Sequence, residues 1–193
     1  MLDAVLSPDW QYRFYSFNHD WGPDEQMASM RNGCGDSYFI LFNQHRAILK
    51  GYAHESAAAR WVMDHNEPLP GMFSGVPQEF APFFEEAAFS IQETTFCFWR
   101  RYINDRWNCG RPPEPARQDT TGATGLLAIL EGDPNFYVKW ARDYYEKPVD
   151  LASAHRIYRH EALSEELVHV LNPELTLDEL REDINEIGYP QSP

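Results

Sequence analysis

The residue types best suited to chemistry meet in one short polar stretch. His54, Glu55 and Ser56 set an imidazole, a carboxylate and a hydroxyl in a row. Imidazole and carboxylate are the usual groups of general acid–base catalysis. A further carboxylate, Asp36, stands upstream in Gly33-Cys34-Gly35-Asp36. His54, Glu55 and Asp36 are therefore the catalytic candidates of an enzymatic reading, a small hydrolase or metal-dependent enzyme. Two arguments oppose it. Neighbouring residues on a strand point to opposite faces, so the three need not converge. Glu-Ser just before a helix also serves as a cap. A catalytic triad is recognised by geometry, not by adjacency.

The seven histidines show neither HExxH nor His-x-x-x-His spacing, and His155 and His160 are five apart. A metal would need distant ligands such as His19, Asp20, Asp36 and His54, so no metal and no cofactor is expected. Gly33 to Asp36 lacks the longer glycine pattern and the lysine of a phosphate loop and reads as a tight turn. Cys34, Cys97 and Cys109 are odd in number, and no two lie closer than twelve residues. That excludes CxxC chemistry and fits reduced thiols.

The other constellation is basic and aromatic. Trp99, Arg100, Arg101, Tyr102, Arg106 and Trp107 stand together, with Arg111 and Arg117 beyond. Arginine beside Trp and Tyr is the composition of interface hot spots, which makes these the binding candidates. The same residues suit an anionic ligand, or single strands of nucleic acid. The plain alternative is that the arginines pair with the acidic C-terminal helices of the same chain. Residues 161–186 carry nine Asp or Glu against one Arg, a balance of −8.

The formal net charge is −14. Such a field repels nucleic acid and anionic lipid, so neither is an expected partner, and a basic protein is the better fit. At 193 residues the chain suits one domain, with a possible division into 1–103 and a helical lobe, 122–193. Aromatic residues make up 15% of it, enough for a substantial core. The first residues, MLDAVLSPDWQ, have no basic start and no long apolar run, and no apolar stretch nears the roughly 20 residues of a membrane span. A soluble, cytoplasmic protein is the expectation.

The elements that must position these groups begin with a hairpin over residues 37–56. Tyr38 to Phe42 and Ala47 to Tyr52 read as strands around Asn43-Gln44-His45-Arg46, the first buried on both faces. Trp10 to Phe17 reads as a strand followed by a loop from Asn18 to Pro23. Residues 24–32 admit two readings: a short helix with a glycine C-cap, favoured by the lack of β-branched residues, or a strand, favoured by their place before a Gly-rich turn and the hairpin. A helix is expected from Ala57 to His65. Another is expected near Phe80, Phe83, Phe84 and Ala87, whose spacing gives it one apolar face. Thr94 to Arg100 is a strand, and 104–121 is loop, rich in Pro and Gly. Beyond it the signals are helical. Gly132-Asp133-Pro134 ends one helix and starts the next. Asp150 and Ser164 head two more, and Thr176 with Glu179 forms a capping box for Leu177 to Ile187. The fold class is α+β, a small antiparallel sheet with helices and a C-terminal helical lobe.

QMASMRNGCGDSYFILF, KGYAHES, TTFCFWR and LNPELTLDEL resemble a family of uncharacterised bacterial proteins. The resemblance implies a compact bacterial protein and assigns no reaction, ligand or residue role. The leading functional expectation is a cytosolic interaction module for a basic protein, in one version immunity-like. The enzymatic reading stands second. A homodimer built on exposed aromatics of residues 96–107 stands third.

Overall fold

The computed structural model describes residues 1–104, 106–110 and 119–191, the side chain of Asn104 excepted. The chain folds as two compact units, one of Met1–His19 with Leu127–Pro193, the other of Asp20–Leu126. The architecture is α+β. Six antiparallel strands lie in the order β1 to β6, namely β1 (Tyr15–Gly22), β2 (Glu25–Arg31), β3 (Ser37–Phe42), β4 (Arg46–Tyr52), β5 (Phe96–Arg101) and β6 (Arg106–Cys109). No helix among the described residues is long and apolar enough to cross a membrane.

The β3–β4 hairpin forms as its pattern requires, with Phe42 opposite Ala47 and Asn43 N–H donating to Arg46 O at 3.0 Å. Burial on both faces, expected of β3, belongs to β4 instead. Ala47, Ile48, Leu49 and Lys50 of β4 are all buried, whereas β3 buries only Tyr38 and Leu41. Of the two readings of 24–32 the strand is the one that forms, over Glu25–Arg31, and six cross-strand pairs from Gln26↔Phe42 to Arg31↔Ser37 hold it in place of the favoured helix. Helix preference amounts to tenths of a kcal/mol per residue, which a ready-made strand edge overrides. Gly33 is then no helix cap. It sits at φ +71° in the β2–β3 turn, which Asn32 N–H closes onto Asp36 O. The first strand also departs from expectation. Trp10–Tyr12 is a 3-10 turn capped by Asp9, and β1 runs on through Asn18, His19 and Asp20. An edge strand with no fully buried residue tolerates such polar residues.

Helix α1 (Leu2–Leu6) has no counterpart in the sequence expectations. Helix α2 (Ala57–His65) starts where Ser56 Oγ accepts Ala59 N–H at 3.1 Å. The phenylalanine spacing gives α3 (Ala81–Glu85) between two 3-10 turns, and Phe80, Phe83 and Phe89 pack with Ile48 and Trp99 into the core of the sheet unit. The loop expected over 104–121 contains strand β6. Its prolines Pro112, Pro113 and Pro115 lie outside the described residues.

Helices α4 (Ala123–Leu127), α5 (Pro134–Tyr145), α6 (Leu151–Tyr158), α7 (Glu165–Leu171) and α8 (Arg181–Ile187) complete the chain. Asp133, Asp150 and Ser164 each accept a backbone N–H at the helix start they were read to cap. Thr176 and Glu179 do bond to each other, but they close a turn, and α8 begins only at Arg181. In the helical unit Asp3 is buried and accepts Tyr15 N–H and Tyr145 O–H, both at 2.7 Å, and also Tyr137 O–H. Burial pushes its carboxyl above the ordinary value, against the pull of those donors.

Candidate functional site

Strand register sorts the candidate residues to opposite ends of the sheet. Arg31↔Ser37↔Tyr52 marks one end, and Arg46↔Arg101↔Arg106 the other, where residues 43–45 and 102–104 lie.

Asp36 and His54 meet at the first end. Asp36 Oδ1 accepts both the backbone N–H of His54 at 2.9 Å and its ring Nδ1–H at 2.7 Å. Asn32 Nδ2 donates to the other oxygen, Oδ2, at 2.6 Å. The turn permits this approach because Gly35 takes φ +112°, where a Cβ would stand 3.2 Å from His54 Cβ. In a neutral ring, giving Nδ1–H to the carboxylate leaves the lone pair on Nε2, the orientation of a general base. Glu55 is 89% exposed, with Oε1 3.8 Å from Nε2, too long for a hydrogen bond. The structure thus brings Asp36 to His54 and leaves Glu55 in solvent. Ser56 is spent on the helix cap. Cys34 is exposed in the same turn, its N–H bound to Asn32 Oδ1 at 2.8 Å. Among the described residues no three His, Cys, Asp or Glu side chains are grouped to hold a metal ion.

The hairpin-tip end holds the binding candidates. Directly opposed residues of antiparallel strands share a face, so Arg46, Arg101 and Arg106 form a row of three guanidinium groups across β4, β5 and β6. Two of the three carry a carboxylate. Arg46 Nη2 reaches Glu25 Oε1 at 3.4 Å, with its guanidinium 5.6 Å from the Phe80 ring centre. Arg101 holds Glu79 in a two-pronged pair at 2.8 and 2.6 Å. Arg106 is exposed and has no ion pair among the described residues. On the other face Arg100 lies 5.2 Å from the centre of the Tyr102 ring. Tyr102, Ile103 and Trp107 are 38%, 90% and 48% exposed. Tyr102 and Ile103, with Gln44, His45, Glu79 and Arg101, line a recess of about 430 Å³, whereas Trp107 stands opposite Arg100 on the other face. A crevice of about 10 Å³ between Glu25, Arg46, Glu79 and Phe80 has room for one water.

Trp99 is the candidate that the structure removes from this surface. It is 5% exposed and packs with Ile48 and Phe83 in the core, because its side chain faces the α3 side of the sheet. Arg111 and Arg117 lie outside the described residues. Arg101 finds its carboxylate within its own unit, at Glu79. The C-terminal acids Glu161, Asp178 and Asp183 find their arginines within theirs, at Arg156 and Arg159, at Arg181, and at Arg13.

Sequence reasoning missed two features. The arginine row needs the strand register, which no spacing in the chain announces. Lys50 is 1% exposed, and its Nζ donates to Ser90 O at 3.2 Å and Glu93 O at 2.9 Å. Burial lowers its pKa to about 8. The available signal was a single charge inside the apolar run of β4. Comparison of the chain with family models, with curated proteins and with solved structures finds no match.

Proposed function

We propose that this is a cytoplasmic protein-interaction module that receives a basic protein partner on the hairpin-tip end of its sheet. The observation that carries the reading is the exposure of Tyr102, Ile103 and Trp107 at one end of the sheet, where the first two line a recess of about 430 Å³. Exposed large apolar groups set among arginines and carboxylates match the make-up of interface centres, where a few aromatic and arginine residues dominate affinity. The net charge of −14 supports a basic partner, since the field draws opposite charge from a distance and speeds encounter. An immunity-type role, in which the module occludes a basic toxin, is one form of this reading.

The test is recovery of partners from a native lysate at low salt with the wild-type chain, Ile103→Asp and Trp107→Ala. The expected result is a basic protein that the wild type retains and both variants lose. Retention of the same partner by both variants contradicts the reading. A second reading, acid–base chemistry at His54, is supported by the 2.7 Å contact with Asp36. Loss of a hydrolytic activity in His54→Ala, with folding unchanged, is the result that would favour it.

A further inference from the structure

The row of arginines states what its outermost member lacks. Like charges placed directly opposite one another on adjacent strands repel and destabilise the sheet. Arg46, Arg101 and Arg106 are stacked in that way on three successive strands. The first two are relieved by one device, a glutamate laid against the guanidinium, Glu25 on Arg46 and Glu79 on Arg101. The side chains grow more open along the row, from 27% exposed at Arg46 to 41% at Arg101, and Arg106 is exposed at the edge. Among the described residues no glutamate or aspartate stands on Arg106. The third position of the row is therefore a guanidinium directly opposite Arg101, which lines the recess together with Tyr102 and Ile103.

We propose that Arg106 binds a carboxylate supplied by the partner, an acidic side chain flanked by an apolar residue that enters the recess beside Arg101. This deepens the reading of the hairpin-tip end as the contact surface and rests on it. A guanidinium holds a carboxylate through two parallel N–H bonds, the geometry already in place at Arg101 and Glu79. The neighbouring ring of Tyr102 and the side chain of Ile103 give the flanking residue apolar surface to cover. A basic partner with one acidic anchor satisfies both the long-range field and this local demand.

The probe is a lysine-flanked peptide with a Leu-Glu-Leu centre, compared with its Leu-Gln-Leu twin. Binding is read from the Arg106 Nε–Hε signal and from the backbone signals of Ile103 and Trp107 in NMR titrations of the full chain. The expected result is a saturable shift of the Arg106 signal, with the Gln peptide at least tenfold weaker. Arg106→Gln should abolish that difference, and Arg106→Lys should keep part of it. Equal binding of the twins, with Ile103 and Trp107 perturbed, leaves the contact surface standing and overturns the carboxylate. Absence of any perturbation at the three positions overturns both. Glu114→Gln and Asp105→Asn are examined in the free chain, and a change of the Arg106 signal in either variant also overturns the proposal, because the carboxylate would then be the chain's own.

Discussion

Lys50 and Cys97 are opposite each other on β4 and β5, and burial moves their pKa values in different directions. Lys50 falls from 10.5 to about 8, so between those values the unfolded chain binds more protons than the folded one, and stability rises with pH. Cys97 climbs from 9.0 to about 12, so above pH 9 the folded chain holds the extra proton, and stability falls as pH rises. Lys50 alone would give about 1 kcal/mol from pH 8 to 9; with Cys97 opposing it the sum is a gain of roughly half to two-thirds of that, and a plateau from 9 to 10. Urea unfolding at those pH values is expected to show this shape, and Lys50→Met is expected to remove the gain. A slope that survives the substitution contradicts the account. Asp36 is the second residue of note, because one carboxylate serves three donors. Asp36→Ala leaves them without an acceptor and should cost about 1–3 kcal/mol in the same assay. The chemistry of His54 and Asp36 was legible in the sequence as residue types. Their meeting was not, since it depends on a glycine at φ +112° between them and on the return of β4 beside β3.

At the scale of elements, local signals succeeded where the chain carries its own stop and start. Asp133, Asp150, Ser56 and Ser164 each cap the helix they precede, and the cap needs only residues a few positions away. Reading failed where a distant strand decides. Residues 24–32 have helix-forming composition and become β2 because β3 offers six pairings. The row Arg46, Arg101 and Arg106 is invisible for the same reason, as it joins positions more than fifty residues apart. Edge strand β6 depends on one close approach. Gly110 follows it, and a Cβ there would stand 1.8 Å from the backbone O of Met72. That atom belongs to the main chain and has no rotamer to turn. Gly110→Ala should therefore cost more than about 2 kcal/mol and speed amide exchange across Arg106–Cys109. An alanine chain with unchanged exchange there would show that β6 is held by its pairing with β5 alone.

For the whole molecule the governing quantity is charge. In the proposed reading a net −14 draws the basic partner, through a field that salt screens over about 8–10 Å at ordinary ionic strength. Association with such a partner should slow at least tenfold between about 50 and 500 mM salt, while dissociation changes little. An association rate indifferent to salt would mean that the acidity serves only to keep the chain dispersed. The α+β class and the acidity were both legible from composition and pattern, because each is a sum over many residues. The location of the exposed apolar end was not, because exposure depends on which sheet face the helices cover. Trp99 and Trp107 show the difference, eight residues apart on neighbouring strands, one in the core and one in water. The claim that this end receives the partner is tested most directly by a photo-crosslinking residue placed at Ile103 and, separately, at exposed Glu166 in the helical unit. The account predicts a crosslink from position 103 to a basic protein and none from 166. A crosslink from 166 alone would contradict it.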